Sequence, residues 1–297
     1  MGWLRKHAAY PLLTPGMTWL LIFFFVPMGF MFVKSLQTVT VDATFHQHYT
    51  LTWEWSNYTE AIRTYHSQFI RSFLYAGIAT VAAFLIAYPL AYVIAFRAGR
   101  WKNLLLLLVI APFFTNYLIR TLAWGTLLAD DSIVTRALDA IGFLTVTDAL
   151  GWTSEHRLLA TPFAVVAAIT YNYLAFMILP LYVSLEKIDK RLLEASLDLY
   201  ANRVRAFLRV TLPLSLPGVF AGTLLTFIPA TGDYVNAELL GSPQTKMIGN
   251  IVQSKFLVIN DYPTASALSF LLMAGILIAI FIYARSLGTD ELTGGAG

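Results

Sequence analysis

The sequence predicts an all-α, polytopic membrane protein with six transmembrane helices, and three observations point there. The 297-residue chain is 58% hydrophobic and only 12% charged, with a mean hydropathy of +0.66, more apolar surface than a soluble core of this size can hide. Six apolar segments follow one another, at about 16–36, 70–96, 103–126, 158–184, 213–233 and 264–285; each is near the ~20 residues that a ~30 Å hydrocarbon layer requires. The Lys and Arg residues are sorted between alternate connections. The whole chain, 1–297, therefore reads as one transmembrane domain.

The first segment follows Arg5 and Lys6 and runs into Lys34 with no small-x-small cleavage pattern, which predicts an uncleaved span. Placing the start of the chain inside assigns twelve of the twenty Lys and Arg residues to the cytoplasm and seven to the outside, with Arg120 inside a span. The positive-inside rule thus puts both termini in the cytoplasm. Eleven of the seventeen acidic residues fall outside, so the outer face is net negative and favours cations over anions. Sorting by side also accounts for the net charge of +3, leaving no nucleic-acid patch to explain. Cysteine is absent, which excludes disulfides, thiolate catalysis and Cys-based metal sites.

The loop at 37–68 carries Trp53, Trp55, Tyr58 and Tyr65, suited to lying along the membrane or packing on the spans. The second segment then presents Ala79, Ala83, Ala87, Ala91 and Ala95 at every fourth position, and the fifth presents Gly218, Gly222, Thr226 and Ala230. Such stripes predict close helix packing. In the third segment, Trp101 and Trp124 stand about 34 Å apart on a straight helix rising 1.5 Å per residue, suiting two interfacial anchors. The loop at 127–157 holds a short helix, SIVTRALDAIG. Prolines interrupt nearly every span (Pro27, Pro89, Pro112, Pro162, Pro180, Pro217, Pro229), tolerated where neighbours or a wet cavity satisfy the freed carbonyls.

Polar groups inside the spans mark a candidate pathway. Asn116 and Arg120 share a face near the outer end of the third span, with Trp124 one turn on. Asp233, followed by Tyr234, closes the fifth at the same level, where it can pair with Arg120 or receive an incoming cation. Tyr171 and Tyr173 cannot share a helical face, so one side of that cluster lines a path and the other bonds a neighbour. All five histidines lie outside the spans, and no HExxH, GxSxG or P-loop motif occurs. This leaves no visible enzyme centre and requires any ATP to be bound by another chain.

Between the fourth and fifth spans, residues 185–212 form a charged cytoplasmic segment with an apolar stripe at Leu185, Ile188, Leu192, Ala195 and Leu199, predicting an amphipathic helix. It resembles the EAA motif of ABC importer permeases: Glu194, Ala195 and Ser196 stand for EAA, Val210 for Ile, and Leu212 and Pro213 for Leu-Pro, at the motif's spacing. Tyr200 stands where the motif has a turn-forming Gly, so the turn is expected at Asn202, which tolerates positive φ. The stretches APFFTNYLIRTLAW (111–124), FIPATGDYVNAELLG (227–241) and MIGNIV (247–252) look like the permease of spermidine/putrescine importers.

That resemblance implies a type I importer in the bacterial inner membrane. It would comprise two six-span permeases, two ATP-binding subunits and an extracytoplasmic solute-binding protein, with no cofactor in this chain and ATP and Mg held by the ATPase. Glu194 would meet a basic group of the ATPase groove, with Leu192, Ala195 and Leu199 filling it. The implied cargo is a polyamine, the alternative being another small solute; a membrane scaffold or intramembrane enzyme is the reading from another class.

Overall fold

The computed structural model describes residues 9–42, 47–198 and 202–287. Among them, five helices are long and apolar enough to cross a membrane, and a sharply bent pair makes a sixth. Two units divide the chain: residues up to 66 with 251–273, and residues 67–250 with those from 274 on.

In the first unit, helix α1 (Ala9–Ser35) leads into an antiparallel hairpin, β1 (Gln37–Val41) with β2 (Gln47–Leu51), in which Gln37 faces Leu51. The aromatic content of residues 37–68 predicted neither strand. Helix α2 (Ser56–Phe96) begins beside it; Asn57 donates to the Ser35 and Gln37 carbonyls at 2.9 and 3.0 Å, satisfying oxygens that the end of α1 leaves open. Tyr65 interrupts α2 with non-helical φ/ψ of −113° and 16°.

The second unit holds the core. Ala79, Ala83, Ala87 and Ala91 of α2 are fully buried, packing against α7 (Pro162–Glu186) through Val165, Ile169, Met177, Ile178 and Leu181. Helix α10 (Leu212–Thr231) packs on α7 and also reaches α2, where the Tyr88 and Ser215 hydroxyls are hydrogen-bonded at 2.8 Å. A Cβ on Gly218 would stand 2.5 Å from the Ser184 Cβ and 2.7 Å from the Pro180 carbonyl; one on Gly222 would meet the Met177 sulfur at 2.8 Å. Both small-residue stripes are therefore packing surfaces, and close approach supplies the dispersion contacts that hold helices together in lipid.

The third apolar segment is not one straight helix. A 3₁₀ turn (Gly99–Trp101), α3 (Lys102–Ile110) and a second 3₁₀ turn (Ala111–Phe114) end at Thr115, whose backbone is extended. Helix α4 (Tyr117–Leu127) restarts after it, bent by 97°. Pro112 has no amide hydrogen to continue the ladder, and the Asn116 side chain accepts the Leu118 and Ile119 amides as the N-cap of α4. The 34 Å separation expected for Trp101 and Trp124 does not survive this bend.

Beyond α4, the predicted short helix is present as α5 (Ile133–Ala140), followed by α6 (Phe143–Ala149) after Gly142 at φ 75°. His156 closes this loop. Its imidazole bonds Asp139 at 2.6 Å, an interaction that raises its pKa, and its amide donates to Asp148. The Asp148 carboxyl is held below its ordinary range, chiefly by the Thr153 hydroxyl and then by that amide.

The charged segment differs from one amphipathic helix. Leu185, fully buried, ends α7 and Ile188 is buried after it, whereas α8 (Lys190–Asp198) is a separate helix that leaves Leu192 exposed. The stripe is thus divided between the core and a free surface. Asn202 has φ −73°, not a positive φ; it caps α9 (Arg203–Ala206) by accepting the Arg205 amide at 2.8 Å. Leu199 and Tyr200 lie outside the described residues. A π-helical turn (Phe207–Thr211) joins α9 to α10. The remaining helices are α11 (Val235–Leu240), α12 (Ile248–Leu257) and α13 (Tyr262–Leu287).

Replacing Gly218 by Ala should destabilise the α7–α10 pair by about 1–3 kcal/mol, the usual cost of overpacking. Gly77→Ala, with nothing within 4 Å of the added carbon, should not. Thermal unfolding of the purified protein reads the difference; equal midpoints for the two variants would show that the close approach is not required.

Candidate functional site

Three elements of the second unit converge where the bent span meets the end of α10. Helix α4 brings Tyr117, Arg120, Thr121 and Trp124; α7 brings Tyr171, Asn172 and Tyr173; the turn between α10 and α11 brings Asp233 and Asn236. At their centre is Asp233, only 5% exposed. Its carboxylate accepts four hydrogen bonds: from the Tyr117 hydroxyl at 2.5 Å, the Tyr173 hydroxyl at 3.2 Å, and the Asn236 backbone amide and Nδ2 at 2.9 Å each. All four donors are neutral.

Asn236 ties the elements together. Its Oδ1 accepts from Asn172 Nδ2 at 3.0 Å and from the Thr121 hydroxyl at 3.2 Å, while its Nδ2 also lies 2.7 Å from the Tyr117 oxygen. A polar knot at this depth is stable only when its members satisfy one another. It is backed by α12, where a Cβ on Gly249 would stand 2.5 Å from the Gly232 carbonyl. Asn250 there donates to the Tyr234 carbonyl and to Glu238, both at 2.9 Å.

Arg120 does not pair with Asp233. One Nη donates at 2.8 Å to the Pro112 carbonyl, which also accepts the Thr115 amide at 3.1 Å, and the guanidinium carbon lies 5.9, 5.6 and 6.0 Å from the ring centres of Phe113, Tyr117 and Tyr171. These are cation–π distances. The Tyr117 ring separates the two charges, with Arg120 over the ring and Asp233 at its hydroxyl.

The two tyrosines of α7 divide as their spacing requires. Tyr173 bonds Asp233, whereas Tyr171 is 39% exposed and packs on Trp124 with ring centres 5.4 Å apart. Tyr234 is likewise exposed, and Asn116 serves as a helix cap away from the knot. Sequence reasoning missed Tyr117, Thr121, Asn236 and Asn250. The first three lie within the stretches 111–124 and 227–241, and Asn250 within 247–252, so the signal was present as similarity without an assigned role. The arrangement sets a buried carboxylate, a hydrogen-bond acceptor, among tyrosine hydroxyls, with aromatic faces around the neighbouring Arg120.

The family model for "Binding-protein-dependent transport system inner membrane component" matches residues 83–287. Among curated proteins, the spermidine/putrescine transport system permease protein PotB of Haemophilus influenzae is 37% identical over 91% of this chain and 90% of its own length. The PotB protein of Escherichia coli K12 is 34% identical over 90% and 94%. A crystal structure of a bacterial ABC transporter involved in the import of the acidic polysaccharide alginate aligns with a TM-score of 0.64 at 18% identity, covering 96% of each chain. At that identity the likeness is one of fold.

Asn236→Ala should destabilise the protein by about 1–3 kcal/mol by stranding buried donors. Asn172→Ala should cost less in that background than alone, since its main partner is already gone. Chemical denaturation of the four proteins checks this; the same cost for Asn172→Ala in both backgrounds would show that the amides are energetically independent.

Proposed function

The chain belongs to the binding-protein-dependent transport system inner membrane components, and we propose that it is the polyamine-conducting permease of an ATP-driven importer, moving its cargo inward by alternating access. The observation that carries the cargo is the Asp233 site, where a carboxylate 5% exposed is met by neutral donors alone and flanked by aromatic side chains. A slender polycation supplies the missing positive charge and takes cation–π contacts along its path. The spermidine/putrescine permeases that the chain resembles over nine-tenths of its length support the same cargo.

Coupling is assigned to α8. Leu192, Glu194 and Ala195 are exposed there, with Ser196 turned back to the Leu193 carbonyl at 2.7 Å. An apolar ridge flanked by a carboxylate suits a groove on a separate ATPase with a basic residue at its edge. ATP and Mg are bound on that partner, and its closure moves α8 as a lever against α7 and α10. In this reading two ATP-binding subunits, a second homologous permease and an extracytoplasmic solute-binding protein complete the transporter, which lies in the bacterial inner membrane with both termini cytoplasmic. Asn116, Trp124, Tyr171 and Tyr234 line the approach to Tyr173 and Asp233, and Leu199, Tyr200 and Asn202 belong to the coupling turn.

Reconstituted with these partners, the wild-type chain should support ATP-dependent uptake of labelled putrescine or spermidine. Glu194→Lys should lower ATPase co-purification and substrate-stimulated ATP hydrolysis by about tenfold or more, the effect of setting like charges together at a docking surface. Absence of polyamine uptake would reject the cargo, and undiminished coupling in the Lys variant would reject the docking assignment.

A further inference from the structure

We propose that Arg120 is a tethered stand-in for the transported cation: its guanidinium occupies an aromatic cage that an ammonium group of the cargo enters by displacing it. This deepens the polyamine reading and rests on it. Arg120 is held in a way that permits release. A guanidinium has five N–H donors, yet among the described residues Arg120 gives one hydrogen bond, to the Pro112 carbonyl, and its Nε is buried without a partner. What else holds it is the faces of Phe113, Tyr117 and Tyr171, and such faces accept an alkylammonium as readily as a guanidinium.

A second observation marks the same place as unfilled. Arg120, Phe113, Tyr171 and Asn172 stand at one cavity of about 270 Å³ whose remaining walls are Pro112 and aliphatic side chains of α2, α3 and α7. Asn172 is 3% exposed, and while its Nδ2 is bonded to Asn236, its Oδ1 has no partner. A buried amide oxygen without a donor is costly. It cannot be satisfied by another acceptor, whereas an ammonium brings three N–H donors. Aromatic faces, an open carbonyl and the Asp233 carboxylate beyond Tyr117 together make a path for a chain of spaced ammonium groups.

Displacement has a consequence for selectivity and release. An anion or neutral solute has no means of expelling the guanidinium from the rings, and once the cargo moves on, the returning guanidinium refills the cage and opposes back-binding. Arg120 therefore competes with the cargo for one site. A purely structural arginine, needed only to hold the helix break through Pro112, would not compete.

Initial rates of labelled spermidine uptake by the complete transporter in proteoliposomes separate the two roles. Arg120→Gln should lower KM by about three- to tenfold, the loss of a competitor held by cation–π contacts, and lower kcat as release slows. Arg120→Lys, which keeps a cation on the tether, should stay near wild type in KM. Adding Tyr171→Leu to Arg120→Gln should raise KM again. An unchanged or higher KM for Arg120→Gln, with wild-type uptake intact, would overturn the proposal, whereas wild-type protein without polyamine uptake would reject the cargo assignment itself. Should the Gln variant not assemble, phenylglyoxal modification of Arg120 in the wild-type transporter, read by mass spectrometry, decides. Spermidine should increase the reaction several-fold, and protection or no change would overturn the proposal.

Discussion

A carboxylate buried without a counter-ion constrains this site more than any other feature. Removing Asp233 from water costs several kcal/mol unless hydrogen bonds or an opposite charge compensate, and the described residues supply only hydrogen bonds. Two tyrosines from different helices and one asparagine must be positioned to within hydrogen-bond distance, so α4, α7 and the α10–α11 turn are fixed with respect to one another. The remaining deficit is one of charge. In the proposed transporter that deficit is what a cationic cargo would fill.

Packing sets those positions. Small residues along α2 and α10 let both helices approach α7 closely, which brings Tyr173 within reach of Asp233. The 97° break serves the same end: the restarted α4 brings Tyr117 to Asp233 after α10, and Thr121 and Trp124 to Asn172 and Tyr171 within α7. Pro112 removes an amide hydrogen, Asn116 caps the restarted helix, and Arg120 donates to the Pro112 carbonyl beside the Thr115 amide. The residue that sequence alone offers as the partner of Asp233 is thereby engaged at the break.

Much of the fold was legible because a bilayer restricts the choices. Apolar runs, small-residue stripes and the sorting of Lys and Arg each follow from lipid acting as solvent. The break at Thr115–Asn116 was not visible, since hydropathy averages over it and Pro112 by itself is common in membrane helices. Asn236 escaped notice because a single amide after a span reads as loop; only the fold brings it to Asn172 and Thr121. Periodicity also joined Leu185 and Ile188 to Leu192 and Ala195, although the end of α7 buries the first two and α8 exposes the others. A 3/4 pattern reports apolar spacing and does not distinguish a face packed inside the chain from one held open for a partner.

The proposed polyamine transport requires Asp233 to act as the acceptor of the transported cation. Kinetics of spermidine uptake by the reconstituted transporter carrying Asp233→Asn test this most directly, with Asp233→Glu as the charge-retaining comparison. Loss of the charge should reduce kcat/KM by about tenfold or more, corresponding to at least ~1.4 kcal/mol of lost interaction, while the Glu variant keeps a larger share of activity and both assemble normally. Wild-type kinetics in a well-assembled Asn variant would contradict it.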